Sequence, residues 1–255
     1  MTSAHIKDKE EYIIWCDVET TGVDIDSDYL LEVGGVITDM QGRILGKGFQ
    51  EVVHYGSQLG SVVNKCNDYV TEMHTKSGLF EALWEGGVTL SRLDTLFTQW
   101  VHAVVEDNGG DFQNAQFYFG GRSITFDRNV LAQHLPLSFN IFSHRSIDTT
   151  TLTLLLSRNE IDVPEQSVWV RDADHRALAD CLDCITQYRS IVCSLPHKPG
   201  TPLPEEVEEE NTVVDIADID SVEGSEDTVD TDNTEPKPKK SGFFSLDDDD
   251  PIYGL

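Results

Sequence analysis

Asp17 and Glu19 lie two residues apart in Tyr12 to Glu19 (YIIWCDVE), a run rich in aromatic and β-branched residues that stops at the turn-forming TTG. Residues i and i+2 of a strand leave the same face, so the two carboxylates would stand side by side and repel. A cation between them would relieve that repulsion, and an all-oxygen donor set suits Mg²⁺ or Mn²⁺. Taken alone, the pair reads more readily as two solvent-facing acids, because the chain holds 46 Asp and Glu. Three further residues raise the odds of a site. Asp127, in SITFDR, follows the short apolar run FYFG and falls at or just before a helix start, where its plain role is an N-cap worth ~1 kcal/mol. His175 and Asp180 are separated by about 140° of rotation at 3.6 residues per turn, so they cannot share a face if both are helical. His175 is therefore placed just ahead of the last helix and Asp180 in its second turn, from where both can look back at one point. Their plain roles are a capping histidine and an exposed helix acid.

The elements that must carry these groups alternate between β and α, which predicts an α/β domain over residues 1–195. Leu30 to Asp39 and Ile44 to His54, joined by MQGR, continue the first strand as a hairpin. Leu90, Leu93, Leu96, Phe97, Trp100, Val101 and Val104 recur at steps of three and four, the stripe of an amphipathic helix. Phe117 to Gly120 reads as a short strand, Asp127 to Leu135 as a helix, Ser146 to Thr150 as a strand leading into a helix near Leu152 to Ser157, and Arg176 to Val192 as the last helix. Gly34-Gly35 inside a strand marks a bulge or close packing. Cys181 and Cys184 have CxxC spacing but lie in an amphipathic helix with no second pair, which argues against zinc.

Charge divides the chain. Residues 196–255 carry 18 acidic against 4 basic side chains, half of the formal net charge of −28 in under a quarter of the length. With four prolines between Leu195 and Pro204 and few large apolar side chains, this segment reads as a disordered acidic tail. Its end, SGFFSLDDDDPIYGL, has the composition of a short docking peptide or of a plain chain terminus in equal measure. A net −28 argues against a protein that coats nucleic acid or binds membrane surfaces. No apolar run approaches the ~18 residues of a membrane span, and the five irregularly spaced cysteines suit reduced thiols, so a soluble, cytoplasmic chain is expected.

DVETTG, SxxFDR and HxxxxD, in that order, resemble the three motifs of the DEDDh 3′-to-5′ exonucleases. Within that group, the segment Asp68-Tyr69 followed by His74-Thr-Lys-Ser77-Gly78-Leu79 is similar to the oligoribonuclease Asp-Trp pair and HTxSGL run. Arg145-Ser-Ile-Asp148-Thr-Thr-Thr-Leu152 is similar to that family's RxxDxSTL element. The resemblance covers residues 11 to 193 and leaves out the acidic tail. It implies an RNase H-like fold, a mixed β-sheet flanked by helices. It further implies two divalent cations, Mg²⁺ or Mn²⁺, bound by Asp17, Glu19, Asp127 and Asp180, with His175 taking the proton from the attacking water; imidazole titrates near neutrality and so suits that task.

The same resemblance implies a substrate of very short single-stranded RNA, down to diribonucleotides, and a homodimer. Val23 and Tyr69 would wedge against the bases, Ser123, Arg145 and Thr150 would cap a 5′-phosphate, and His74 would join the substrate site. Ordinary core packing is the competing role for Val23 and Tyr69, and a histidine satisfying backbone groups explains His74 equally well. The chain departs from the family pattern at four places: Tyr69 for Trp, Val23 for Leu, Thr20 for Met, and Ser143-His144 for His-Tyr. Thr20 leans toward a broader single-strand DNA or RNA exonuclease. A protein that works by docking its acidic tail on a partner is the alternative of another class.

Overall fold

The computed structural model describes residues 9–158 and 175–195 of the 255-residue chain. The predicted acidic tail, 196–255, and its docking peptide lie outside the described residues. Five strands, β1 (Glu10–Thr20), β2 (Leu30–Asp39), β3 (Ile44–Val52), β4 (Ala115–Gly121) and β5 (Phe142–Asp148), form one sheet in the order β3-β2-β1-β4-β5. The hairpin expected from the sequence is present: β1 pairs antiparallel with β2, and β2 with β3. On the other side β4 runs parallel to β1, and β5 parallel to β4. The sheet is therefore mixed, and β1, at its centre, is apolar on both faces.

Alternation along β1 sends Ile14, Cys16 and Val18 to one face and Ile13 and Trp15 to the other. The first face is covered by α4 (Leu90–Asp107), whose Leu93, Leu96, Phe97, Trp100, Val101 and Val104 are all buried, as the three-and-four spacing predicts. Thr89 caps this helix by accepting from the Arg92 amide at 3.3 Å. The second face is covered by α8 (Ala177–Ser194), through Leu178, Cys181, Cys184, Ile185 and Tyr188. Cys181 and Cys184 are thus buried free thiols of an apolar layer.

Gly34 and Gly35 let both helical layers approach the sheet closely. A Cβ on Gly34 would lie 2.3 Å from the Ala177 carbonyl carbon of α8, and one on Gly35 would lie 3.0 Å from the Trp100 ring of α4. The register between β2 and β3 also shifts between Gly35 and Ile37. The pair is both the bulge and the close approach that its position in a strand suggested.

The remaining helices are α1 (Leu59–Val63), α2 (Asp68–Lys76), α3 (Leu79–Glu85), α5 (Thr125–His134), α6 (Pro136–Phe139) and α7 (Thr149–Arg158). α1 to α3 pack around their own small core of Leu31, Leu59, Val62, Leu79 and Leu83. α6 is held from α4 by the buried Asp94, whose carboxylate accepts from the Leu137 amide (2.9 Å), the Ser138 amide (2.8 Å) and the Ser138 hydroxyl (2.7 Å). No helix among the described residues is long and apolar enough to cross a membrane.

Candidate active site

β1 ends at the site. Asp17 pairs in register with Gly34 and Glu19 with Glu32, so the two acids project from one face of the sheet's central strand. The first turn of α8 brings Asp180 to them, and one carboxylate oxygen from each of Asp17, Glu19 and Asp180 lies within 4.8 Å of the others. Asp180 falls at the end of the first turn instead of in the second, because the helix begins at Ala177, one residue later than the sequence suggested. Asp127 approaches from α5. It is not the cap of that helix: Thr125 opens the helix, Ile124 holds the cap position, and Asp127 lies in the first turn. Its Oδ1 accepts instead from the amide of Val18, the residue between Asp17 and Glu19, at 3.2 Å. The backbone of β1 therefore fixes Asp127 beside the other three acids.

Crowding and burial push every one of these carboxyls toward its protonated form. For Asp17 burial is the largest cause, followed by the charges of Asp127, Glu19 and Asp180. For Glu19 burial is again first, followed by Asp180 and Glu32, with Arg176 acting the other way. Asp180 is raised by burial and eased by His175. Burial pushes Asp127 up to about 7 against the pull of two backbone N–H groups, its own and that of Val18. A half-buried cluster of hard oxygen donors that resists ionisation fits a divalent cation, which would hold all four as carboxylates.

This arrangement sets a sign for stability against pH. A carboxyl with a raised folded pKa binds its proton more tightly folded than unfolded. Its contribution is complete below the unfolded value near 4 and is lost as pH rises through the folded value, about 7 for Asp127. Chelator-treated protein is expected to melt roughly 5 °C lower at pH 8 than at pH 5, a shift of a few kcal/mol at this size. Added Mn²⁺ should recover most of the loss at pH 8, as read by differential scanning fluorimetry; the same curve with and without Mn²⁺ would mean that these acids hold no cation.

His175 lies just ahead of α8, one residue before its cap position Arg176, with φ +43°. Among the described residues it and Ser123, φ +54°, are the non-glycine positions in the left-handed region, and both are candidate site residues. Such conformations persist where the surroundings impose them, and they gather at functional sites. His74, by contrast, is fully buried on α2 and does not line the surface as a substrate contact would. Its Nε2 lies 2.9 Å from the Thr20 carbonyl oxygen, which can only accept, so Nε2 carries the proton. Burial lowers its pKa, leaving the ring neutral with Nδ1 unpartnered, 3.8 Å from a Glu19 oxygen. The backbone-satisfying role fits His74, with Glu19 as its neighbour.

Val23 and Tyr69 are 87% and 71% exposed, which removes core packing as their role. Ser123 and Thr150 come together, hydroxyl to hydroxyl at 3.1 Å. Asp148 organises them: its Oδ1 accepts from the Ser123 and Thr150 amides, both at 3.0 Å, and its Oδ2 from the Thr151 hydroxyl at 3.2 Å. Arg145 is exposed on β5, three residues back from Asp148, and its charge and a side-chain hydrogen bond act on Tyr118 of the neighbouring strand. Arg128 is committed elsewhere, donating to the Ser143 carbonyl at 2.8 Å and lying over the Phe119 and Phe139 rings.

Two residues at the site went unassigned in the sequence. Glu32 is fully buried on β2 and pairs with Arg176, Nη2 to Oε1 at 2.5 Å. The available signal was a single acid inside the apolar run LLEVGGVI.

The mixed sheet carries a helical layer on each face, with acids gathered at the end of its central strand, which is the architecture that the resemblance to the DEDDh exonucleases implies. In sequence the chain is similar to the oligoribonuclease of Mycobacterium leprae, 29% identical over 194 residues, 74% of this chain and 85% of that protein. It is similar also to those of Corynebacterium glutamicum, 28% identical over 190 residues (73% and 80%), and Ruthia magnifica, 26% over 186 residues (72% and 97%). No family model matches the chain. Among solved structures, the zinc-bound E. coli exonuclease I in complex with single-stranded DNA superposes with a TM-score of 0.49 at 16% identity, over 72% of this chain. The chain spans 41% of that protein's length.

Proposed function

We propose that this chain is a divalent-metal-dependent 3′-to-5′ exoribonuclease that degrades very short RNA, down to diribonucleotides, to nucleoside 5′-monophosphates. The observation that carries the reading is the meeting of acids from three separate elements, β1, α5 and α8, with His175 at the start of α8. The similarity to proteins named oligoribonucleases supports the choice of RNA and of short chains.

In this reading Asp17, Glu19, Asp180 and Asp127 are the residues that would hold the two divalent cations, Asp17, Glu19 and Asp180 from β1 and α8 and Asp127 from α5. What the bound Mg²⁺ or Mn²⁺ supplies is activation of a water and stabilisation of charge on the leaving 3′-oxygen. His175 takes the proton from the attacking water. Val23 and Tyr69, both projecting into solvent, close on the bases, where stacking on one aromatic ring contributes ~1–3 kcal/mol. The Ser123 and Thr150 hydroxyls, oriented by Asp148, receive the 5′-phosphate and so end the groove after two nucleotides. A net charge of −28 suits a substrate with few phosphates, since grip on a long strand depends on neutralising many. Arg145 would have to reach the phosphate from a second copy of the chain or after moving, which is where a homodimer enters the proposal. The acidic tail is proposed to serve docking rather than turnover.

The test is a length series. Labelled RNAs of two to twenty nucleotides, with DNA counterparts, should show turnover per end that is at least tenfold faster on the dinucleotide than on the 20-mer, and slower still on DNA. Equal rates across lengths and sugars would replace this reading with that of a broad single-strand exonuclease.

A further inference from the structure

β2 contributes no ligand to the cluster, yet it holds the one acid of the region that is fully buried and fully satisfied. The Glu32 carboxylate accepts from Arg176 Nε (3.0 Å to each oxygen), Arg176 Nη2 (2.5 Å), the Ala177 amide (3.0 Å) and Gln50 Nε2 (3.0 Å). The Ala177 amide is the first N–H of α8, a group that a helix cannot satisfy from within. Arg176 itself occupies the cap position and provides no side-chain cap. Glu32 therefore caps α8 from a neighbouring strand while gripping the residue before the helix in a forked, charge-assisted pair.

Position gives this contact its consequence. Arg176 is flanked by His175, held at φ +43°, and stands one turn before Asp180. Glu32 is in register with Glu19 across the β1–β2 ladder. One buried carboxylate thus ties the segment bearing His175 and Asp180 to the strand pair bearing Asp17 and Glu19. With Gly34 admitting the α8 backbone two residues further along the same strand, β2 is the seat on which the start of α8 is set.

We propose that Glu32 and Arg176 are positioning residues that lock the start of α8, and with it His175 and Asp180, onto the Asp17–Glu19 end of β1. The proposal rests on the exoribonuclease reading for its catalytic consequence. Glu32 is sealed from solvent and so out of reach of substrate, and its charge is answered by Arg176, which keeps it from serving as a further cation ligand.

The full chain carrying Glu32→Gln, Arg176→Met or both decides it, by three measurements. On a diribonucleotide each single variant should lose roughly 10- to 100-fold in kcat with KM within about threefold, the scale on which groups that orient metal ligands act. Mn²⁺ affinity, from titration calorimetry, should fall about tenfold, and amides 177–181 should exchange at least tenfold faster with deuterium. Because the two residues act as one unit, the double variant should be no worse than the poorer single variant. Single variants within twofold of wild type in kcat and Mn²⁺ affinity, or losses that multiply in the double variant, would overturn the proposal. If Glu32→Gln does not fold, Arg176→Met, a change at a partly exposed side chain, decides alone. If the wild-type chain cleaves no RNA, the exoribonuclease reading has failed, and Mn²⁺ affinity and amide exchange still judge the lock.

Discussion

Asp17→Asn should abolish hydrolysis, by about a thousandfold or more in kcat, while making the metal-free chain more resistant to heat. The two effects share one cause. Asp17 stands at the centre of the cluster, and burial first, then the charges of Asp127, Glu19, Asp180 and Glu32, act to keep it protonated. Asn has the same shape without the charge, so the repulsion that burdens the metal-free site falls away. With it goes the electrostatic attraction for a divalent cation, and removal of a single well-placed electrostatic group in an active site costs ~10²–10³ in rate even without a cofactor to lose. Melting curves with chelator and with Mn²⁺ make the check: the variant should melt higher than wild type in chelator and gain nothing from Mn²⁺. Turnover retained by Asp17→Asn would mean that the cations, and the reaction, belong elsewhere.

The second large effect is at His175. His175→Asn should lower kcat by about 10²–10⁴ near pH 7, the usual contribution of a positioned general base. The deficit should shrink as pH rises and hydroxide replaces the missing base. Asn is chosen because it tolerates the left-handed backbone that His175 adopts, φ +43°, so the loss reports the ring and not a rearranged helix start. Mn²⁺ affinity should stay within about threefold of wild type, since His175 holds no cation in this mechanism. A variant as active as wild type at pH 7 would move the base to another group, with the buried His74 next to be changed.

How far these sites were readable from the sequence follows from how each group is held. Asp17 and Glu19 needed only the two-residue period of a strand, and α4 only its apolar stripe; both are local patterns and both were legible. For Asp127 the local pattern offered only a helix cap, and the resemblance alone placed it with the other acids; its carboxylate accepts from Val18, 109 residues away in sequence. Glu32 and Asp94 escaped for the same reason: each is a buried acid whose donors come from another element. The stretch between β3 and α4 gave no periodic signal because α1 to α3 run only five to nine residues and lean on a small core of their own. Whether His74, Val23 and Tyr69 point inward or outward is a property of how α2 and the loop after β1 dock, and no residue pattern encodes it.

Gly34 carries a consequence for how tightly the geometry of the acid cluster is specified. Where α8 meets β2, main chain rests on main chain, with no side chain between them to act as a cushion. Side chains can rotate and re-pack by fractions of an ångström, but two polypeptide backbones in contact have no such slack. The gap between Asp180 and Asp17 is therefore gauged by bare peptide thickness, the least adjustable ruler a protein possesses, at the spot where an error of one ångström would matter most.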